Sequence, residues 1–436
     1  MDRNKSEQSW ESQASYYPVE ENDIPSENVG DGKGGGFKSG LFLGMALTLA
    51  VALAVVGTLF GTGVVQVAGR TEVTNNVLTD AVMQKLNNLI GEIGRYYYED
   101  VNTEDLVTGI YKGLFEGLGD PYSEYYTKQE YEDIMIDANA NYYGIGAALL
   151  QDKNTMQVTI SKVYDGSGAQ TAGLMEGDEI IQVEDIVSVS VELADLVQNI
   201  RGEEGTTVHI TVLREGETEY REFDVKRGEI NIPTVESKLL EGDVGYIQVL
   251  EFATSTSKDF VKEIESLSAQ GMKYMIVDLR GNGGGVLTAC QEMLDAVLPE
   301  GVVVYTEDKN GVRVDYTSDA EHFMDIPMAV LIDGHTASAS EIFAGAIRDY
   351  DYGTLIGTKT FGKGIVQSVR SLPDGSAYKM TVSKYFTPNG DNIHGTGIEP
   401  DIELEYEYTG DEDEEYDELK DNQIQKAIEV LRGEAE

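Results

Sequence analysis

The sequence has very few of the residues that build disulfides and metal sites. Its single cysteine, Cys290, cannot form an internal disulfide and cannot build a cysteine-rich zinc site. Its four histidines are scattered, and none are spaced as in a His-Glu-x-x-His metal motif. The sequence therefore argues against a metalloenzyme, and we expect no cofactor.

Basic residues are also scarce. The 436-residue chain has 32 lysines and arginines against 78 acidic residues, a formal net charge of −46. Because nucleic-acid binding needs a basic surface, this charge excludes DNA and RNA as partners. With only 9 prolines against 48 glycines, and with 41% hydrophobic residues, the chain is expected to have many tight turns within folded domains. Its length allows two or three such domains.

One long stretch has no charged residue at all. Residues 39–69 are uncharged and residues 41–67 are nearly all apolar, which exceeds the ~20 residues that a bilayer-crossing helix needs. The stretch is too long for a signal-peptide core and no A-x-A cleavage site follows it, so we expect a retained anchor rather than a buried core helix. Lys33 and Lys38 precede it, and only Arg70 follows closely. This bias predicts a cytoplasmic N-terminus in the cell membrane and an extracytoplasmic location for the rest of the chain.

The rest of the sequence divides into segments of different periodicity. Apolar residues at helical spacing, such as Leu78, Val82 and Leu86, predict two helices within 77–118, which could pack against a second copy of the chain. The predicted organisation is a disordered cytoplasmic tail at 1–38, the anchor at 39–69, an N-terminal helical segment at 70–131, a small domain at 132–226, an α/β core at 227–410, and an acidic segment with a C-terminal helix at 411–436.

The segment 132–226 has several strand-like runs around one helical stretch at 191–200. Its size and element order match a PDZ domain. The sequence Tyr143-Gly144-Ile145-Gly146 resembles the loop whose backbone N–H groups bind the terminal carboxylate of a peptide. The alternative is a barrel closed for structural reasons, with the glycines as turn residues. The PDZ interpretation predicts a peptide-binding site at 143–146.

In the segment 227–410, strands alternate with helices, which predicts an α/β fold with a mixed sheet flanked by helices. Two loops follow predicted strands at 274–279 and 328–332, and loops at the carboxyl ends of neighbouring strands commonly form sites. The first loop, 278–285, has glycines that can turn N–H groups toward developing negative charge. A tight strand–helix turn is the alternative for that loop.

The second loop leads to Ser338, and a lone lysine, Lys363, follows further along between two glycines. A serine hydroxyl is a poor nucleophile until a base removes its proton. An amine can be that base only if burial lowers its pKa from ~10.4 toward neutrality. Because the neighbours of Lys363 carry little charge, the pair predicts a serine hydrolase with a Ser/Lys dyad.

Other interpretations of these residues stay open on spacing alone. Ser338-x-x-Glu341 is also a capping-box pattern, and Ser340 is a second candidate nucleophile or cap. His335 could act as the base with Asp333 to orient it, but so short a tether would struggle to align an imidazole with the hydroxyl.

A glycine-rich stretch at 357–364 approaches the phosphate-loop pattern. Its last position is Gly364, so the hydroxyl that would bind magnesium is missing. A predicted strand rather than a long helix follows, and we therefore expect no nucleotide.

Taken in order, these segments resemble the carboxyl-terminal processing peptidases, also called tail-specific proteases. The likeness covers residues 75–432 and rests on Gly119-Asp120-Pro121-Tyr122-Ser123, Gly144-Ile145-Gly146, Asp278-Leu279-Arg280-x-Asn282-x-Gly284-Gly285, Ser338-Ala339-Ser340-Glu341-Ile342, Gly362-Lys363-Gly364 and Gly395-Thr396-Gly397-Ile398-Glu399-Pro400-Asp401.

The resemblance implies a role for each site residue. Ser338 would be the nucleophile, Lys363 the base and Gln367 the group that orients the lysine, while Gly284 and Ala339 would supply the oxyanion amides. The PDZ domain would bind the C-terminal residues of protein or peptide substrates. The expected protein is a membrane-anchored serine endopeptidase, and the competing hypothesis is a non-catalytic, membrane-tethered PDZ scaffold that binds protein tails.

Overall fold

The computed structural model describes residues 77–321, 323–410 and 416–433. The predicted tail at 1–38, the predicted anchor at 39–69 and most of the acidic run that begins at 411 lie outside these residues. Over the described part of the chain, no helix combines the length and the apolar character that crossing a bilayer requires.

Two helices open the described chain, as the apolar spacing predicts: α1 (Asp80–Tyr96) and α2 (Thr103–Glu116). The side chain of Thr79 caps α1 by accepting a hydrogen bond from the Val82 N–H at 3.3 Å. Every residue of α1 is at least partly exposed, and its large apolar side chains face solvent.

The strands that enter and leave the next domain run side by side. The chain continues through β1 (Glu124–Tyr126), α3 (Lys128–Asn139) and β2 (Asn141–Gly144). β2 pairs antiparallel with β9 (Gly228–Asn231), the strand that follows the domain. The domain between them is therefore an insertion.

The inserted domain is a sheet of six strands with two short helices. Its strand order is β3-β4-β5-β7-β8, with β6 paired to β5. Along β7, Val208, Ile210 and Val212 are buried while the residues between them are not, which is the two-residue period of a half-buried strand. The elements are β3 (Ala147–Gln151), β4 (Val158–Val163), α4 (Gly168–Ala172), β5 (Glu179–Val183), β6 (Ile186–Val187), α5 (Leu193–Ile200), β7 (Thr207–Leu213) and β8 (Arg221–Lys226).

The core after residue 234 is built on a central mixed sheet of order β10-β11-β12-β15-β16-β19. Only the β10–β11 pair is antiparallel among these neighbours. The elements are β10 (Val235–Leu240), β11 (Val244–Val249), α6 (Thr256–Ala269), β12 (Tyr274–Asp278), α7 (Leu287–Val297), β13 (Gly301–Asp308), β14 (Arg313–Ser318), β15 (Met328–Ile332), α8 (Ala339–Asp349), β16 (Gly353–Gly357), β17 (Ile365–Ser371), β18 (Ala377–Phe386), β19 (Ile402–Glu403) and α9 (Asn422–Leu431).

The central sheet is buried on both faces. Val277 and Val330 join the apolar cluster formed with α6, α7 and α8, whereas Ile276 and Leu331 join the cluster formed with α9. Neighbouring residues along a strand point to opposite faces, so the near-continuous apolar runs of β12 and β15 supply both clusters. The predicted mixed sheet flanked by helices is confirmed.

A second sheet has the order β1-β18-β13-β14, with β17 paired to β18. The strand predicted after residue 364 is β17, which forms a long antiparallel hairpin with β18. β1 pairs with β18, the strand that also pairs with β17, on which Gln367 lies.

Candidate active site

Two loops leave the same edge of the central sheet and touch. β12 and β15 are parallel neighbours, with Asp278 opposite Leu331. The loops that follow the two strands therefore begin at the same edge of the sheet. The Gly281 N–H donates to Asp333 Oδ1 at 3.0 Å, and the Ala337 N–H donates to the Asn282 carbonyl at 3.0 Å. The strand alternation correctly predicted that these loops meet.

Ser338 lies at the sharp turn between β15 and α8 and is fully buried. Its φ of +55° and ψ of −115° are rare for a residue with a side chain, so the surrounding contacts must hold it there. Its N–H donates to Glu341 Oε2 at 2.9 Å, and its carbonyl accepts the Tyr385 hydroxyl at 3.1 Å. The turn places the side chain of Ser338 beside the first loop.

Ser340, the other candidate, is also buried, but its hydroxyl donates to the Asn282 carbonyl at 3.0 Å. His335 is solvent-exposed, in contrast to the buried Ser338. Asp333 accepts hydrogen bonds from the N–H groups of His335 and Thr336 through Oδ1, at 3.0 and 2.9 Å. Its carboxylate therefore shapes the turn.

Gly284 packs directly on the turn at Ser338. A Cβ at this position would lie 2.8 Å from the Ala339 nitrogen, the Ser338 Cβ and the Ala337 carbonyl oxygen, so only glycine fits. The structure thus brings the two predicted oxyanion residues together, and the Ala339 amide is at the N-terminus of α8, which favours negative charge. The Gly284 N–H, however, donates to Asn282 Oδ1 at 2.8 Å in this state.

Lys363 lies in the loop before β17, with only 3% of its surface exposed. Burial, assisted by the positive charge of Lys379, lowers the pKa of Lys363 to about 8, while Glu341 and Asp120 act in the opposite direction. A substantial neutral fraction therefore exists near pH 8, which an exposed lysine would not have.

The carboxylate of Glu341 links the turn at Ser338 to the loop that carries Lys363. Besides the Ser338 N–H, its Oε2 accepts the Lys363 N–H at 2.8 Å. Its Oε1 accepts the Thr360 hydroxyl at 2.6 Å and the Gly362 N–H at 2.7 Å. The Ser-x-x-Glu spacing predicts Glu341 only as the partner in a capping box, and it is the one sequence signal for this residue.

Gln367, on β17, is fully buried near this cluster. Its Nε2 donates to the Thr381 hydroxyl at 3.3 Å. Its Oε1 accepts no hydrogen bond from the part of the chain that the structure describes. Gln367 Oε1 therefore accepts no hydrogen bond from Lys363 here, and the orienting role that the resemblance implies for Gln367 stays a prediction.

Two groups near Lys363 were missed as site residues. The ring of Tyr122 lies with its centroid 4.8 Å from Lys363 Nζ. Lys379 is buried on β18 and forms an ion pair with Glu124 at 3.3 Å. The motif at 119–123 carries no predicted role of its own, and the alternating pattern of β18 gives no signal that Lys379 lies near the site.

The predicted peptide-binding loop lies at the end of β2. Ile145 is buried, Tyr143 is half exposed, and Gly146 has a φ of +77°, where a Cβ would collide with Ser167. Next to this loop, between β3 and α5, is an apolar cavity of about 200 Å³ whose lining includes Leu149 and Val197. This is the arrangement in which an extended peptide can add to β3.

Protein-family models match three parts of the chain. Residues 243–404 match peptidase family S41, residues 133–213 match the PDZ domain, and residues 58–130 match the N-terminal domain of the activating protease CtpB.

Individual relatives agree with these matches. The carboxy-terminal processing protease CtpA of Bacillus subtilis (strain 168) is 33% identical over 349 residues, which cover 80% of this chain and 74% of that protein. CtpB of the same organism is 34% identical over 329 residues, which cover 74% of this chain and 68% of that protein. Among solved structures, the photosystem II D1 C-terminal processing protease is similar with a TM-score of 0.43 and 26% identity, covering 74% of this chain and 86% of that one.

Proposed function

The chain belongs to peptidase family S41 and is a serine-type carboxy-terminal processing protease with a PDZ domain, and we propose that it cleaves its substrates with a Ser338–Lys363 dyad. Membership in this family favours an enzyme over the non-catalytic PDZ scaffold. The protein substrates of such an enzyme present free C-termini.

In the proposed mechanism, the unstructured C-terminus of a substrate binds at residues 143–146, and the upstream chain reaches Ser338. Neutral Lys363 takes the hydroxyl proton while Ser338 Oγ forms a bond to the carbonyl carbon of the substrate. The Ala339 amide stabilises the oxyanion, and the Gly284 amide joins it once Asn282 releases the N–H.

The tetrahedral intermediate then collapses. The C–N bond breaks, the Lys363 ammonium returns its proton to the leaving amine, and an acyl-enzyme remains on Ser338. Lys363 then takes a proton from the water that attacks the acyl carbon, the C–Oγ bond to Ser338 breaks, and the lysine returns the proton to Ser338 Oγ, which releases the new C-terminus of the substrate. Gln367 would orient the lysine through its unoccupied Oε1.

One observation carries this proposal. Lys363 is a buried amine with its pKa lowered to about 8, and its loop is tied to the Ser338 turn by a single carboxylate. Burial of a lysine costs free energy, because the ammonium group loses its hydration, so a buried lysine indicates a functional role. The role of general base explains why Lys363 is buried.

The test is hydrolysis of an unstructured fluorogenic peptide by the full-length protein. Ser338→Ala and Lys363→Ala are expected to lose at least ~10²-fold in kcat, whereas Ser340→Ala should retain most of the activity. A peptide with an amidated C-terminus should bind more weakly than the free acid. If Lys363→Ala kept activity within ~10-fold of wild type, Lys363 would not be the general base.

We further propose that residues 39–69 anchor the enzyme in the cell membrane, with the N-terminus cytoplasmic and the peptidase outside. The uncharged stretch and the lysines before it support this proposal. In intact cells, an added protease should digest the catalytic part and spare a tag at the N-terminus. Protection of both parts would contradict this orientation.

A homodimer formed through α1 is a separate proposal. The exposed apolar side chains of α1, among them Leu89, Ile90 and Ile93, are its support. Light scattering should give twice the monomer mass for the wild type, and Leu89→Lys together with Ile93→Lys should give the monomer mass. An unchanged mass in the double variant would refute this contact.

A further inference from the structure

An aromatic ring from the N-terminal segment faces the amine of Lys363. The centroid of the Tyr122 ring is 4.8 Å from Lys363 Nζ, within the ~6 Å range in which a ring face attracts a cation. The attraction arises from the negative face of the ring, and it strengthens where water is excluded. Because Lys363 is almost fully buried, this contact lies in such an environment.

The backbone that carries the ring is held in place by a chain of hydrogen bonds. The Tyr122 N–H donates to Asp120 Oδ1 at 3.0 Å, and the Ser123 hydroxyl donates to Asp120 Oδ2 at 2.6 Å. The Thr381 N–H donates to the same Ser123 hydroxyl oxygen at 3.0 Å. Thr381 pairs with Gln367 across β17 and β18, so the segment is fixed to the strands beside the lysine.

The ring remains an uncharged phenol during catalysis. Partial burial and the negative charges of Asp120 and Glu341 raise the pKa of Tyr122 above its ordinary value. The charged groups that act on Lys363 are Lys379 from β18, Glu341 from α8 and Asp120 from the N-terminal segment. None of these supplies an aromatic face.

In the mechanism proposed above, on which this inference rests, Lys363 is neutral before the reaction and an ammonium after it takes the serine proton. An interaction made only with the ammonium stabilises the transition state more than the ground state, and such a difference raises kcat. We propose that the Tyr122 ring stabilises the ammonium that forms on Lys363, so that the turn at 119–123, ahead of β1, supplies part of the catalytic apparatus.

The experiment changes the electron density of the ring without changing its shape. In the full-length protein, Tyr122 is replaced by Phe and then by phenylalanines with one, two and three ring fluorines. The activity of each variant toward an unstructured fluorogenic peptide is measured across pH. Tyr122→Phe keeps an aromatic ring and is the reference against which the fluorinated variants are compared.

Each added fluorine withdraws charge from the ring face and weakens its attraction for the ammonium. The pKa of Lys363 should therefore fall, and the acid limb of the pH profile should move to lower pH by a total of about 0.5 to 1.5 pH units. A base with a lower pKa is also a weaker base, so kcat on the plateau should fall progressively, by between about 2-fold and about 10-fold.

The matched control is the same fluorinated series at Tyr125, whose ring packs on Tyr111 at 5.1 Å. That series should leave both kcat and the acid limb unchanged. Equal kcat and an unmoved acid limb across the Tyr122 series would overturn the inference, and so would a kcat that falls while the acid limb stays fixed.

Lys363→Met separates this inference from the proposed function. If Lys363→Met abolishes hydrolysis and fluorination at position 122 has no effect, only the role of the ring is refuted. If Lys363→Met retains wild-type hydrolysis, the dyad itself is wrong, and the inference falls with it.

Discussion

The backbone N–H groups of Ser338 and Lys363 donate to the same oxygen, Oε2 of Glu341, at 2.9 and 2.8 Å. The nucleophile and base proposed here are therefore joined through a third residue, independently of any contact between their side chains. A buried carboxylate with four donors around it fixes the geometry of both loops at once.

Glu341→Gln tests this link. The NH2 group of glutamine cannot accept hydrogen bonds, so it faces either the N–H groups of Ser338 and Lys363 or the N–H of Gly362, and one or two of the four hydrogen bonds are lost. We expect the free energy of unfolding to fall by about 3 kcal/mol and kcat to fall by at least ~10²-fold. Denaturant unfolding and peptide hydrolysis measure the two effects.

The matched control is Glu399→Gln, a glutamate that pairs with Lys359 on the surface. This change should alter stability by less than about 0.5 kcal/mol and leave kcat unchanged. Wild-type activity in Glu341→Gln would show that the shared carboxylate is not needed.

Lys379→Met should make Lys363 a base that works only at higher pH. The positive charge of Lys379 disfavours the ammonium form of Lys363 and so lowers its pKa. Removing that charge raises the pKa of Lys363. The acid limb of the pH–rate profile should then move to higher pH, and activity at pH 7 should fall.

Lys384→Met, an exposed lysine on the same strand, serves as the control and should leave the profile unchanged. A shift of the acid limb to lower pH in Lys379→Met would contradict the electrostatic assignment.

Gly284→Ala should abolish activity because the added methyl group collides with the Ser338 Cβ and the Ala339 nitrogen. A loss of at least ~10²-fold in kcat is expected for a displaced nucleophile and oxyanion amide. Gly281→Ala is the control in the same loop, since its Cβ would meet nothing within 4 Å.

Gly281 has a φ of +73°, so alanine there should cost about 1 kcal/mol of stability through backbone strain. Its activity should remain within a few-fold of wild type. Equal loss of activity in both variants would mean that loop strain, and not the collision at Ser338, is responsible.

Local sequence pattern was sufficient to predict the central sheet with its flanking helices and the meeting of the two loops, but not the second sheet. Apolar runs at β12 and β15 predict parallel neighbours, and their loops must then share an edge. The sequence pattern could not decide whether Ser338 or Ser340 is the nucleophile, because both lie at the start of one helix. The difference lies in the backbone at Ser338 and in the hydroxyl of Ser340, which donates to Asn282.

The side chains that surround Lys363 could not be predicted from local sequence pattern, for a different reason. Tyr122 reaches the lysine through a tertiary contact, and no periodicity encodes a contact between segments so far apart. Lys379 lies in a strand whose alternation gives no sign that its amine is buried. The resemblance identified the motif around Tyr122, but only the structure gives it a partner.

The most direct test of the account is the labelling of Ser338 by a serine-directed fluorophosphonate as a function of pH, with the modified residue identified by mass spectrometry. Wild-type protein should be labelled at Ser338, at a rate that rises with pH through a pKa of about 8, and Lys363→Met should be labelled at least ~10²-fold more slowly. Labelling at Ser340, or labelling of Lys363→Met at the wild-type rate, would contradict the assignment of Ser338 as nucleophile and Lys363 as its base.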